Sequence, residues 1–109
     1  MIERIWHGWT DPDDADEYEQ LLRTELLPRF ADQNSEGYRG VRLLRRSRSE
    51  SVEFVTIMRF ESLDAVEQFA GEDYERAHVP PAARELLTRF DDRAHHYELR
   101  AERAYESGE

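Results

Sequence analysis

The stretch Val52 to Phe60 (VEFVTIMRF) constrains this chain more than any other. It is rich in β-branched and aromatic residues and reads as a strand. Side chains alternate across a strand, so Phe54, Thr56, Met58 and Phe60 share one face while Val55 and Ile57 share the other. Both faces are therefore largely apolar. An antiparallel sheet with one wet face alternates more cleanly. The chain has 109 residues, enough for one domain, and a domain of that size buries roughly 65% of its unfolded surface. Its helices suffice for one side of a sheet, so a second copy of the chain is the expected cover for the other side.

The remaining pattern supplies the elements around this strand. Ile2 to Trp9 is a strand, and MIERIWHGW lacks a signal-peptide pattern. Thr10 or Asp11 is positioned to cap a helix with Pro12 at its first position. Ala15, Tyr18, Leu22, Leu26 and Phe30 give that helix one apolar face, with a kink or loosened turn expected at Pro28. Asn34 to Gly37 ends it. Tyr38 to Ser47 is a strand joined to the next by a polar turn, Arg48 to Ser51. Ser62 caps a second helix whose buried stripe is Leu63, Val66, Phe69 and Ala70, with Gly71 as its stop. Asp73 to Val79 reads as a short helical turn. Pro80-Pro81 starts a helix carrying Ala83, Leu86, Leu87 and Phe90, and Ala94 to Ala101 is the last strand. The result is one α+β domain over residues 1–101, of ferredoxin-like βαββαβ order with an antiparallel sheet, and a charged tail over 102–109.

Composition excludes several function classes. The net charge of −10 opposes nucleic acid and anionic membrane as partners. All fifteen basic residues are Arg, so no lysine Schiff base is possible. Cysteine is absent, which removes disulfides, thiolate nucleophiles and cysteine zinc sites. No apolar run approaches the ~20 residues of a membrane span, and the cytoplasm is the expected location.

Candidate chemistry falls on the histidines and aromatics. His7 and Trp9 share a face of the first strand; on a cavity wall they would offer a hydrogen bond and a stacking surface. Elsewhere they form a structural aromatic cluster. Tyr74 and His78, four apart, share a face if that segment is helical, and a phenol with an imidazole suits proton transfer or oxyanion binding. The alternative is a packed Tyr74 and a solvated His78. His95 and His96 point to opposite faces and cannot chelate one metal as a pair; no metal site is expected. The run Arg42, Arg45, Arg46 and Arg48 reads as a charged strand edge that deters pairing or as a source of salt bridges across a dimer, with anion binding as a third option.

The segments IWHGWT, EFVTIMRFESLDAVEQFAGEDYERA and VPPAARELLTRFD resemble the antibiotic biosynthesis monooxygenase family of the dimeric α+β barrel superfamily, over about residues 2 to 100. The resemblance implies a homodimer in which two four-stranded sheets form a shared barrel, with a ligand cavity between sheet and helices in each subunit. It implies a cofactor-independent monooxygenase acting on a small aromatic or polyketide-like substrate. His7 or His78 would be the base, Tyr74 a donor, and Trp9, Phe60 and Phe69 the walls. Two alternatives stand beside it. One is haem binding or breakdown: His78 corresponds to the iron ligand of haem-degrading relatives, while His7 and Gln68 replace their asparagine and tryptophan. The other is a non-catalytic dimeric protein carrying a small hydrophobic ligand.

Overall fold

A computed structural model describes residues 1–33 and 36–106. The fold is α+β, with five antiparallel strands and helices packed on one face of the sheet. Strand β1 (Ile2–Thr10) pairs along its whole length with β3 (Val52–Phe60), and β3 pairs with β2 (Tyr38–Ser47). The free edge of β1 is shared by two short strands, β4 (Leu87–Phe90) and β5 (His95–Glu98). The order β2-β3-β1-β4, with β5 beside β4 on β1, is the ferredoxin-like sheet with its last strand broken in two.

That broken edge corrects two expectations. The helix begun at Pro80-Pro81 ends at Leu86, as α4 (Pro81–Leu86), and Leu87 to Phe90 is a strand. The spacing of Ala83, Leu86, Leu87 and Phe90 fits a helix, but β1 left an open row of backbone donors and acceptors, and a β-branched, aromatic segment fills it. Arg89 also stacks over the Trp9 ring at 3.9 Å. The last strand spans His95–Glu98, not Ala94 to Ala101. Between β4 and β5 the chain is pinned by Asp91 N–H to the His7 carbonyl (3.0 Å) and by Ala94 N–H to the Glu75 carbonyl (2.7 Å).

The first helical region runs as a 3-10 turn (Pro12–Asp14), α1 (Ala15–Leu21), a π-helical turn (Leu22–Leu26) and α2 (Leu27–Gln33). Asp11 precedes the 3-10 turn without a side-chain cap, and the Thr10 hydroxyl is buried with no partner among the described residues. Pro28 cannot donate to the carbonyl four residues back and its ring crowds that carbonyl. The loosening therefore falls before the proline, where Leu27 N–H reaches back to the Leu22 carbonyl. The expected end at Asn34 lies outside the described residues. Helix α3 (Leu63–Ala70) starts with Ser62 Oγ accepting from Ala65 N–H at 3.2 Å and stops at Gly71, whose φ is 90°.

Alternation in β3 puts Val52, Phe54, Thr56, Met58 and Phe60 under the helices, all buried, and leaves Glu53, Val55, Ile57 and Arg59 half-buried on the opposite face. Two apolar clusters form under the helices. Tyr18 meets Phe54 edge-on at 4.9 Å in one, beside Leu22 and Leu26; Phe60, Tyr38 and Val66 pack against Phe69 in the other. On the opposite face, Ile5, His7 and Trp9 of β1 lie beside Val55 and Ile57, with Leu44 and Tyr97 exposed. No helix among the described residues is long and apolar enough to cross a membrane.

Candidate functional site

Where the two clusters meet, the sheet and the first helical region leave a cavity of about 170 Å3. Arg4, Trp6, Thr56 and Met58 floor it, Leu22, Leu26 and Phe30 roof it, and Phe69, His78 and Val79 line the rest. The π turn places Leu22 and Leu26 over this floor. Gly8 makes room for the Trp6 ring, because a Cβ at that position would lie 2.9 Å from it. Trp6 is held from the other end by its indole N–H donating to the Asp91 carbonyl at 2.7 Å, across the break between β4 and β5.

Arg4 is the polar centre of the cavity. It is 6% exposed. Its Nη1 donates to the Tyr74 carbonyl and, at 3.0 Å, to His96 Nε2, while Nη2 reaches the Arg76 carbonyl at 3.4 Å. The guanidinium carbon lies 5.6 Å from the centre of the Phe69 ring. Burial lowers the Arg4 pKa to about 10, so it stays charged at neutral pH. Burial and the nearby Arg4 charge push the His96 imidazole down to about 4. His96 is therefore neutral, with Nε2 the acceptor and Nδ1 carrying the proton.

The sequence-predicted residues divide between the two faces. Phe69 and His78 line the cavity. His78 Nε2 donates to the Ala70 carbonyl at 2.9 Å, and Nδ1 has no hydrogen-bond partner among the described residues. Phe60 is fully buried behind Phe69, ring centres 5.3 Å apart. Tyr74 stands edge-on to His96 at 5.1 Å and supplies its backbone carbonyl to Arg4. The segment 73–79 holds a turn and an isolated bridge from Arg76 to Arg93 instead of a helical turn, so Tyr74 and His78 do not share a helical face. His7 and Trp9 lie on the opposite face of the sheet. There His7 Nδ1 bonds Glu53 at 2.7 Å and stacks on Trp9.

Sequence reasoning missed Arg4 and Trp6. Ile2, Arg4 and Trp6 alternate on one face of β1 but are no more apolar than Ile5, His7 and Trp9 on the other. Of the run Arg42 to Arg48, Arg45 pairs with Asp16 and Glu19, and Arg42 with Glu3. The cavity's residues do not fit haem. The Nε2 of His78 is engaged by the Ala70 carbonyl and so is not open to an iron. No group of three or more potential metal ligands occurs among the described residues.

Comparison with known proteins bears on the fold. No family model matches the sequence, and no curated protein matches it. Among solved structures, a proposed antibiotic biosynthesis monooxygenase from Bacillus cereus superposes with a TM-score of 0.58. The likeness covers 97% of this chain and 96% of that one, at 17% identity. The two share a fold.

Proposed function

We propose that the chain is a cofactor-independent monooxygenase of a small aromatic or polyketide-like substrate bound between the sheet and the helices. The observation that carries this reading is the make-up of the cavity: aromatic and aliphatic walls, a buried guanidinium, and an imidazole whose Nδ1 makes no hydrogen bond among the described residues. In such chemistry the substrate supplies the electrons. His78 removes a proton from an activated methylene or phenol, and the carbanion adds dioxygen. The hydroperoxide then loses water, so that CH2 and O2 become C=O and H2O. The chain's contributions are the base and a dry enclosure that keeps the anion from being quenched. The likeness to the Bacillus cereus protein supports the reaction class by analogy of fold.

Two copies are expected to pair through the opposite face of the sheet. Ile5, Val55, Ile57, Leu44 and Tyr97 form an apolar surface there, crossed by the His7–Glu53 pair. That surface and the cavity both fall within residues 1–101, which we take as one domain.

Anthrone is a suitable probe, because its oxidation to anthraquinone consumes one dioxygen and changes absorbance. The reading expects oxygen uptake above the uncatalysed rate, matched one to one by anthraquinone and lost in His78→Ala. No rate above background with anthrone or a naphthoquinol would overturn it.

A further inference from the structure

Arg4 is unlike the other paired arginines of this chain. Arg23, Arg39, Arg42, Arg45, Arg59 and Arg93 each have an acidic partner. Arg4 is the more deeply buried, and no carboxylate among the described residues pairs with it. The chain holds twenty-five acidic residues, so the missing partner does not reflect a shortage of acids. Burying a charge without a counter-charge is costly, and two backbone carbonyls and a neutral imidazole offset only part of that cost.

The existing bonds also leave a defined opening. Both Nη1 hydrogens and one Nη2 hydrogen are used by Tyr74, His96 and Arg76. The Nε–H has no acceptor among the described residues, and Nη2 has only the long 3.4 Å contact to the Arg76 carbonyl. Nε–H and the Nη2–H beside it lie parallel on one edge of the guanidinium, the edge that matches a two-oxygen anion. Arg4 lines the cavity together with Trp6, Met58 and Phe69, which are apolar, and the uncharged polar side chains of Gln33 and Thr56.

We propose that the cavity takes an anionic ligand, a small aromatic or branched aliphatic carboxylate whose two oxygens accept from the Nε–H and Nη2–H of Arg4. Its apolar body then lies against Trp6, Met58 and Phe69. This deepens the reading of the cavity as a substrate site and rests on it. His96, with the Tyr74 carbonyl, is a positioning residue: the two hold the guanidinium by Nη1, the Arg76 carbonyl meets Nη2, and the Nε edge is left open. The net charge of −10 does not forbid this, because exposed charges are screened beyond roughly 8 Å at physiological salt, whereas the Arg4 contact is buried.

The test is calorimetric titration at pH 7 with benzoate and 2-naphthoate, each beside its primary amide. The amide keeps the shape and replaces an acceptor oxygen by donors facing Arg4, so at least one acid is expected to bind roughly 100-fold tighter than its amide. Arg4→Met abolishes that preference and Arg4→Lys retains part of it. The wild-type acid and amide comparison does not depend on how well either variant folds. Equal binding of acid and amide, or binding of neither, overturns the proposal. Tight acid binding by a protein that leaves anthrone unoxidised upholds the anion site and removes the oxygenase reading. Anthrone oxidation without acid preference does the reverse.

Discussion

His96 Nε2 accepts a hydrogen bond from the Arg4 guanidinium at 3.0 Å, and this contact is available only while His96 is neutral. Burial, then the charge of Arg4, lowers the His96 pKa from 6.5 to about 4; Glu75 opposes that shift and His95 adds to it. The unfolded chain takes up this proton near pH 6.5, the folded chain only near 4. Stability from the neutral imidazole is therefore complete above pH 6.5 and is lost as pH falls toward 4. Urea unfolding at intervals across that window should show a decline of roughly 1–3 kcal/mol that His96→Phe lacks. Parallel profiles for the two proteins would contradict the assignment.

His78 borders the cavity but belongs to neither apolar cluster. Replacing it by alanine should lower the oxygenation rate by on the order of 100-fold, the usual contribution of a general base. Stability should change by less than about 1 kcal/mol. A large loss of melting temperature with an unaltered rate would mark the imidazole as a structural tie to Ala70.

Ile57 lies on the sheet face away from the helices, flanked by Ile5 on β1 and Arg42 on β2. If that face joins two copies, light scattering at micromolar concentration should give twice the chain mass. Ile57→Glu should give the single mass. Pairing that excludes water from such a face should bury more than ~1,200 Å2 in total. A monomeric wild type would remove the shared barrel.

Gly8 has no space for a methyl group between Trp6 and Leu87. Gly8→Ala should cost about 1–3 kcal/mol by overpacking. Displacement of the indole should also weaken naphthoate binding. Unchanged stability would mean that the Trp6 ring can move aside freely.

Much of this fold was legible because period and punctuation agreed. Ser62, with Gly71 eight residues after Leu63, bounded α3, and the two apolar faces of Val52–Phe60 located the central strand. The edge was harder to read. Leu86, Leu87 and Phe90 fit a helix as well as a strand, and the vacant edge of β1 decided between them. The site was half legible. Phe69 and His78 could be found from the helical stripe and the family-like segment. The side of β1 that faces the helices could not be found, since Ile2, Arg4 and Trp6 are no more apolar than Ile5, His7 and Trp9. A parity choice of that kind sends every side chain to one face or the other.

The π turn at Leu22–Leu26 also bears on how such chains can diverge. Tyr18, Leu22, Leu26 and Phe30 follow one another at four-residue steps, and in a regular helix each such step drifts about 40° around the axis. The wide turn absorbs that drift and keeps all four on the sheet side. Loss of one residue from this turn would restore a regular helix in which Tyr18 stands seven positions before Leu26, within about 20° of the same face, so Tyr18 would stay on Phe54 while the roof lost one residue. A single-codon deletion here would thus reshape the roof of the cavity while leaving the sheet untouched, so the length of this turn is a separate variable through which ligand preference can evolve.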